Sequence, residues 1–251
     1  MIKKLGVFLS FLNGSYAYPC FVKGIDGDRV VWTDFSATHA DSFLETSSWL
    51  PQTDYSGLSG MWSSYIQITE DVGDLECLDY IIHWYIEANR NTGFTEGSVV
   101  LLQNAFELLF NWQMVEKRAI YTRAQGKGIN AAEKIRILLR DAGLSLSLPP
   151  KYANMDTVLK QAGLNYQDFP ELFTLFRNAI THTDMTKRAT LSKIQGIHRF
   201  HIKDIGIAFL ELLVLYLLDY NGVYASRVSA NMFAGGNEAQ VPWNTSCDPL
   251  R

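Results

Sequence analysis

The sequence predicts a mainly α-helical protein that carries a small β-rich segment at its N-terminus. Apolar residues recur at helical spacing from Asp74 onward, with no internal repeat or low-complexity segment. Before that point, aromatic and β-branched runs flank Asp26-Gly27, a dipeptide typical of hairpin turns. The 251 residues are 47% apolar and 19% charged, which is enough apolar material for a sizeable core.

We divide the chain into a β-rich N-terminal segment, 1–70, and a helical domain, 71–251. Residues 16–36 predict two or three strands, and the Gly- and Ser-containing stretch 55–64 predicts an irregular connection. An isolated hairpin is only marginally stable in water. We therefore expect the strands to pack on the helical domain, or to be the remnant of a larger β domain upstream.

The first residues also have features of a secretory signal. Lys3 and Lys4 precede the apolar run 5–12, and residues 15–17 have a small-x-small pattern. Because a strand-like pattern continues directly after this stretch, we favour a segment of the folded protein over a cleaved signal.

Several classes of function are excluded by the net charge, the cysteine content and the absence of well-known motifs. The net charge of -4 excludes a basic nucleic-acid coat, so any contact with nucleic acid requires a local basic patch. Cys20, Cys77 and Cys247 are odd in number and far apart, which fits a reducing compartment and predicts neither a disulfide framework nor a metal site. The sequence has no Walker loop, dinucleotide fingerprint or G-x-S-x-G motif. We predict a cytoplasmic protein without a cofactor or metal.

Six helices are predicted by their apolar period and their end signals. Gly93 breaks the first, Thr95 is the expected N-cap of the second, and Gly143 ends the third. Pro149-Pro150 predicts a loop before the fourth. The helices are expected at residues 74–91, 95–122, 131–143, 155–163, 168–184 and 198–224.

The longest apolar run, 205–220, lies in the last of these helices. It carries Glu211 and is short for a bilayer span, so we expect a buried core helix and no membrane contact. Trp84 and Trp112 lie in the middle of predicted helices, where tryptophan is more typical of a core than of a platform for stacking bases.

The fifth predicted helix has two unlike faces. Asp168 is its expected N-cap, with Pro170 in the first turn and Glu171 completing a capping box. At about 100° per residue, one half of the helix is apolar and holds Leu172, Phe173, Leu175, Phe176, Ala179 and Ile180. The other half holds Thr174, Arg177, Asn178, Thr181 and His182.

Taken alone, this polar face is typical of solvated surface. Two observations favour a functional site. The face lacks the Lys and Glu residues that usually fill a solvated surface, and the following segment, 185–203, is basic without one acidic residue. We predict that Lys187, Arg188 and Arg199 in this segment bind substrate phosphates. A solvated loop is the alternative.

The polar face contains a known signature. Arg177-Asn178-Ala-Ile-Thr-His182 resembles the R-x-x-x-x-H motif of the HEPN superfamily, which lies on a late helix of a helical bundle. Four further stretches are similar to the ApeA-like group of anti-phage HEPN proteins: 9–32, 85–91, 96–112 and 241–243. Larger members of that group carry a β-rich N-terminal domain, so the resemblance implies that this chain is a short version or a fragment.

The resemblance implies a metal-independent endoribonuclease that leaves a 2',3'-cyclic phosphate and acts in anti-phage defence. RNA is the expected substrate, and tRNA is one candidate among RNAs. The residue types suit this chemistry. His182 is a suitable base or acid near neutral pH. Arg177 offers a fork of donors to phosphate oxygens, and Asn178 is expected to orient His182 or hold the phosphate. Because HEPN proteins generally face two such motifs across a dimer, we expect a homodimer.

Other polar residues are weaker candidates. Asn104 and Glu107 form a strip on the second predicted helix and are expected either to support His182 from behind or to belong to a structural network. His198 and His201 flank Arg199 and are candidates for accessory RNA contacts, since no third metal ligand is evident beside them. The alternative to the ribonuclease is a non-catalytic HEPN module that binds RNA or a protein partner.

Overall fold

The computed structural model describes residues 1–36, 40–41, 47–91, 93–182, 184–231 and 235–243. Helices dominate these ranges, and the strands form two short hairpins. Cys247, named above for its place in the cysteine count, lies outside them. The predicted fold class is therefore confirmed at the level of a mainly helical protein with a small two-stranded sheet near the N-terminus.

The described residues form ten α-helices, two other helical segments and four strands. The α-helices are α1 (Ile2–Asn13), α2 (Leu58–Ile68), α3 (Val72–Arg90), α4 (Phe94–Phe110), α5 (Arg123–Gly128), α6 (Ala131–Asp141), α7 (Ala153–Gln161), α8 (Phe169–Thr181), α9 (Met185–Lys193) and α10 (Gly196–Leu217). A π-helical segment, Asn111–Lys117, continues α4, and a 3-10 turn, Pro150–Tyr152, leads into α7. The strands are β1 (Lys23–Asp26), β2 (Arg29–Thr33), β3 (Val223–Ala225) and β4 (Glu238–Gln240). β1 pairs antiparallel with β2, and β3 with β4.

The centre of the fold is α10, which packs against α3, α4, α6 and α8. Its residues 205–215 are all buried, which confirms the prediction of a buried core helix. Among the described residues, no helix has both the length and the apolar character that a membrane span requires. Trp112 is buried as predicted, and its indole N–H donates to the Asp74 carboxylate over 2.8 Å.

Glu211 is a buried charge in the middle of α10. Its carboxylate accepts a bidentate contact from the Arg227 guanidinium at 2.8–2.9 Å, and the Tyr85 hydroxyl donates to it over 2.7 Å. Arg227 also donates to the backbone carbonyl of Ser47. A buried carboxylate is tolerated when its charge and its lone pairs are matched in this way. Burial, and then the Glu211 charge, raise the pKa of Tyr85 well above its usual value.

The N-terminal segment is less β-rich than predicted. Two strands of four and five residues are present, but α1 and α2 lie in the same segment. The apolar run 5–12 is part of α1 because Val7 and Phe11 lie four residues apart and both face the core. Gly14, with φ +70°, ends α1 in the left-handed conformation that glycine adopts readily.

Two further predictions about helix ends were wrong. Thr95 is not the N-cap of α4, because Gly93 holds that position and α4 begins at Phe94. The predicted helix 95–122 is also not continuous. Its α-helical part ends at Phe110, and the chain then passes through the π-helical segment to the N-cap of α5, Thr122.

The helix α9 was not among the predicted helices. It lies within the basic segment for which a loop was the alternative to a phosphate-binding patch. The sequence of α9 lacks the apolar period that predicts a helix, because none of its residues has to pack into the core. The Asp184 side chain starts α9 by accepting from the backbone N–H of Lys187 over 2.8 Å.

Candidate functional site

The candidate site lies at the C-terminal end of α8, and the start of that helix is firmly fixed. Asp168 is the N-cap, as predicted, and accepts from the backbone N–H of Glu171 over 3.0 Å. The Glu171 carboxylate accepts from the N–H of Gln167 over 2.8 Å, one residue earlier than a capping box requires.

Arg136 on α6 ties this helix start to its neighbour. Its guanidinium donates to Asp168 over 2.5 and 3.1 Å, to Glu171 over 2.7 Å and to Glu133 over 2.7 Å. The hydrogen bond to Asp168 raises the pKa of Arg136 above its usual value. No sequence signal pointed to this contact, because it joins residues 32 positions apart.

The apolar face of α8 then carries the helix into the core. Leu172, Phe173, Phe176 and Ala179 are buried, whereas Leu175 and Ile180 are half-buried and pack against the core edge. The ring of Phe173 meets that of Phe106 on α4 edge to face, with centroids 5.7 Å apart. The orientation of α8, and hence of its polar face, is set by this packing.

On the polar face, Arg177 and Asn178 form one unit. The Arg177 guanidinium donates through one terminal nitrogen, Nη1, to the Asn178 amide oxygen over 3.1 Å. The Nε atom of Arg177 is buried, and no partner for it occurs in the described part of the chain. The Thr174 hydroxyl oxygen, about one turn earlier on α8, is also buried, and no hydrogen-bond partner for it occurs in the described part of the chain.

His182 lies just beyond the last helical residue and is exposed. Its φ and ψ of -114° and 105° turn the chain out of the helix. Its backbone N–H donates to the Asn178 carbonyl over 3.1 Å, and this hydrogen bond closes the helix at its C-terminus. The only described contact of Asn178 with His182 is therefore through the backbone. The Asn178 side-chain amide contacts Arg177, and His182 is exposed just beyond the helix end.

The basic residues of the predicted phosphate patch lie in two different settings. Lys187 and Arg188 belong to α9, which packs against α8, so they follow the motif closely in space as well as in sequence. Arg199 lies in the first turn of α10 and contacts other parts of the protein. Its guanidinium donates to Glu96 over 2.8 Å and to two backbone carbonyls, those of Leu191 and Ile194, over 3.0 and 2.7 Å. In this structure Arg199 fixes the turn between α9 and α10.

The two residues of the predicted strip on α4, Asn104 and Glu107, also lie in different surroundings. Asn104 is exposed, whereas Glu107 accepts from the Gln103 amide over 3.0 Å and lies 3.7 Å from the Lys134 ammonium on α6. This contact pattern is that of the structural network named as one alternative. No contact between Glu107 and His182 occurs in the described residues.

His198 and His201 lie in the first turns of α10 and line a cavity that no sequence signal predicted. Within the described ranges, no group of three or more His, Cys, Asp or Glu side chains is arranged to hold a metal ion. The other walls of the cavity come from the turn after Pro149-Pro150, a stretch interpreted from sequence only as a loop.

These features define a mainly helical protein with an Arg–Asn pair and an exposed imidazole at one helix end. Residues 72–237 match the family described as the YopA C-terminal domain, and residues 1–46 match the YopA central domain. The first match covers more than half of the chain, so the chain belongs to the YopA family.

A similar protein occurs in Bacillus subtilis (strain 168), where it is named SPbeta prophage-derived uncharacterized protein YopA. The two sequences are 29% identical over 246 residues, which are 98% of this chain and 53% of that protein. The chain therefore spans about half the length of this relative. No solved structure matches the chain.

Proposed function

We propose that the protein is a metal-independent endoribonuclease of the HEPN type, with Arg177, Asn178 and His182 at its active site. The observation that carries the proposal is the arrangement at the end of α8. The Arg177 guanidinium donates to Asn178, and an exposed His182 follows five residues after Arg177, just beyond the helix end. The Nε atom of Arg177 is buried without a partner in the described residues, which is unusual for a solvated face because water reaches the polar atoms there.

The proposed reaction needs no metal. The 2'-hydroxyl of RNA attacks the adjacent phosphorus, a bond from that oxygen to phosphorus forms, and the bond from phosphorus to the 5'-oxygen breaks. One imidazole takes the proton of the 2'-hydroxyl as the base, and a second protonates the leaving 5'-oxygen as the acid. The Arg177 fork donates to the non-bridging oxygens, where negative charge accumulates.

A single His182 cannot fill both roles in one step, so the proposal includes a homodimer with the two motifs facing each other. Met185, three residues beyond His182, has 79% of its surface exposed, so this side chain is accessible to a second protomer. In a two-fold dimer, one surface patch contacts its own copy, so each cleft would hold two arginines and two histidines.

Lys187 and Arg188 on α9 are the proposed contacts to the RNA backbone, with Arg199 holding the α9–α10 turn beneath them. RNA, with tRNA as the first candidate, is the proposed substrate, and the cytoplasm is the proposed site of action. The proposed role is anti-phage defence, and its support is the resemblance to the ApeA-like group together with the prophage origin of the Bacillus subtilis relative.

The decisive test is RNA cleavage in EDTA by the purified chain, with His182→Ala as the inactive variant and Thr181→Ala as its matched control from the same helix turn. We expect cleavage with a 2',3'-cyclic end by the wild type and the control. His182→Ala should lower the rate by about 10²- to 10⁴-fold. Cleavage that survives His182→Ala, or that requires a divalent metal, would contradict the mechanism. RNA that is bound but uncut would favour the non-catalytic module.

A mixing experiment tests the shared cleft. Wild-type protein and His182→Ala are unfolded and refolded together at several ratios. A mixed dimer has one imidazole in its cleft and lacks either the base or the acid, so activity should fall as the square of the wild-type fraction. Self-contained sites in each protomer predict a fall in direct proportion to the wild-type fraction. Native mass spectrometry, with a mass tag on one of the two proteins, confirms that mixed dimers have formed.

A further inference from the structure

A cavity of about 260 Å³ lies between α1, the residues that follow α1, and α3. We call it the tyrosine cavity, because Tyr16, Tyr18 and Tyr80 form part of its wall. Three buried apolar side chains also line it: Val7, Ile82 and Ile86. Tyr80 is 58% exposed, so the cavity is open to solvent on the side of α3.

Two of the aromatic rings in the wall are held in place by the protein itself. The Tyr18 ring lies across Gly6 of α1, so closely that a Cβ atom on Gly6 would come within 2.2 Å of the ring. The Tyr80 ring stacks on Trp84, with the ring centroids 6.0 Å apart and an angle of 28° between the planes. A flat ring system in a ligand packs well against aromatic side chains. Because these rings are already ordered, little conformational entropy is lost when a ligand binds.

The polar part of the wall favours an uncharged ligand that donates hydrogen bonds. Asp79 is the only Asp, Glu, Lys or Arg among the described residues that line the cavity. The Lys3 ammonium lies 2.9 Å from its Oδ2 atom, so the charge of the carboxylate is already balanced. No hydrogen bond to the Oδ1 atom occurs in the described part of the chain. Because a carboxylate only accepts, the matching edge of a ligand carries N–H or O–H groups.

The size of the cavity sets the size of the ligand. An engineered apolar cavity of about 150 Å³ holds one benzene ring. The tyrosine cavity, at about 260 Å³, therefore suits two fused rings.

We propose that the tyrosine cavity binds a guanine base. Guanine is flat and uncharged, and it has two fused rings. Its N1–H and its 2-amino group lie side by side on one edge, where they match the two oxygens of the Asp79 carboxylate. Adenine places a ring nitrogen that only accepts beside its amino group, and a pyrimidine has a single ring. The proposal does not rest on the ribonuclease activity, because binding is measured without cleavage.

The test is titration calorimetry of the full chain with guanosine, inosine and adenosine. Inosine lacks only the 2-amino group of guanosine, so we expect it to bind about tenfold more weakly. Adenosine should bind no more tightly than inosine. Equal affinity for guanosine and inosine, tighter binding of adenosine, or no binding of guanosine would each overturn the proposal.

A matched pair of variants separates the carboxylate from its ion pair. Asp79→Asn should remove most of the preference for guanosine over inosine, because the amide has one acceptor oxygen instead of two. Lys3→Gln breaks the same ion pair but keeps the carboxylate, so it should retain the preference. An ion pair with so exposed a lysine contributes little to stability, and thermal melting confirms that both variants are folded. A preference that survives Asp79→Asn, or that is lost equally in both variants, would contradict the proposal.

Guanine occurs both in free nucleotides and in RNA, and a further comparison distinguishes these sources. It uses His182→Ala, so that RNA is not cut, with guanosine monophosphate and a uridine pentanucleotide that has one guanosine at its centre. Tighter binding of the pentanucleotide would assign the cavity to RNA, and tighter binding of the mononucleotide would assign it to a free nucleotide. Equal binding of the pentanucleotide when adenosine replaces its guanosine, together with no binding of the mononucleotide, would overturn the proposal.

Discussion

Asn178 makes two different contacts at the scale of single residues. Its amide oxygen accepts from the Arg177 guanidinium, and its backbone carbonyl accepts from the N–H of His182. A substitution removes the first contact and leaves the second. The side chain therefore offers a way to disturb Arg177 while the helix end stays intact.

We expect Asn178→Ala to lower RNA turnover by about fivefold, because the guanidinium loses one hydrogen bond of about 1 kcal/mol that fixes its direction. The melting temperature should stay close to that of the wild type. Steady-state cleavage kinetics beside thermal melting check both expectations. A melting temperature that falls with the activity would mean that Asn178 is structural.

The Arg177→Met variant distinguishes the role of the Arg177 charge in RNA cleavage from the role of its side-chain stem in stability. Methionine keeps an apolar stem but removes the buried Nε atom that lacks a partner, so the free energy of unfolding should not fall. RNA cleavage should nevertheless be lost, because no donor remains for the phosphate. Urea unfolding and cleavage assays give the two readings. Arg177→Lys, as the control, should recover only part of the activity.

At the scale of elements, the two faces of α8 predict different costs. Leu172 is fully buried, whereas Leu175 lies half-buried at the core edge. Leu172→Ala should lower the free energy of unfolding by about 2–5 kcal/mol, and Leu175→Ala by less than half of that loss. Urea unfolding of both variants gives the comparison. Equal losses would mean that the α8 packing differs from that described.

The same helix shows how far sequence reasoning reaches. Its N-cap and its apolar face were predictable, because a cap and a period are local signals. Its end was not: the predicted helix ran on to residue 184, whereas α8 ends at Thr181 and His182 is already extended. The sequence alone does not show where a helix ends when its last turn is polar, because such a turn has no apolar residues whose spacing marks the end.

Contacts between distant residues account for the other differences. Arg199 was predicted to bind phosphate because it lies in a basic segment, but its ion pair is with Glu96, 103 positions away. The contacts of Arg136 with Asp168 and Glu171 could not be predicted either, because these partners are also distant in sequence. The order of helices along a chain does not reveal which charges will meet. The basic character of this segment could be predicted from the sequence. The helix α9 within it could not, because no residue of α9 is buried and an apolar period is therefore missing.

At the scale of the whole molecule, Glu211 and Arg227 link the core helix to the chain that follows it. Glu211→Leu should lower the free energy of unfolding by about 3–5 kcal/mol, because it leaves the Arg227 charge buried without a counter-charge. The double variant Glu211→Leu with Arg227→Met should recover a large part of that loss, since neither charge remains. Urea unfolding of Glu211→Leu, Arg227→Met and the double variant forms the cycle. Additive losses would show that the two side chains are not coupled.

That ion pair also has a consequence for the order in which the protein is made. Glu211 leaves the ribosome 16 residues before Arg227, and the guanidinium also binds the carbonyl of Ser47, which was synthesised long before both. A growing chain therefore cannot complete the contacts of Glu211 until Arg227 has emerged. A nascent chain that stalls between these two residues exposes an uncompensated carboxylate among apolar side chains, which is the kind of surface that chaperones and proteases recognise.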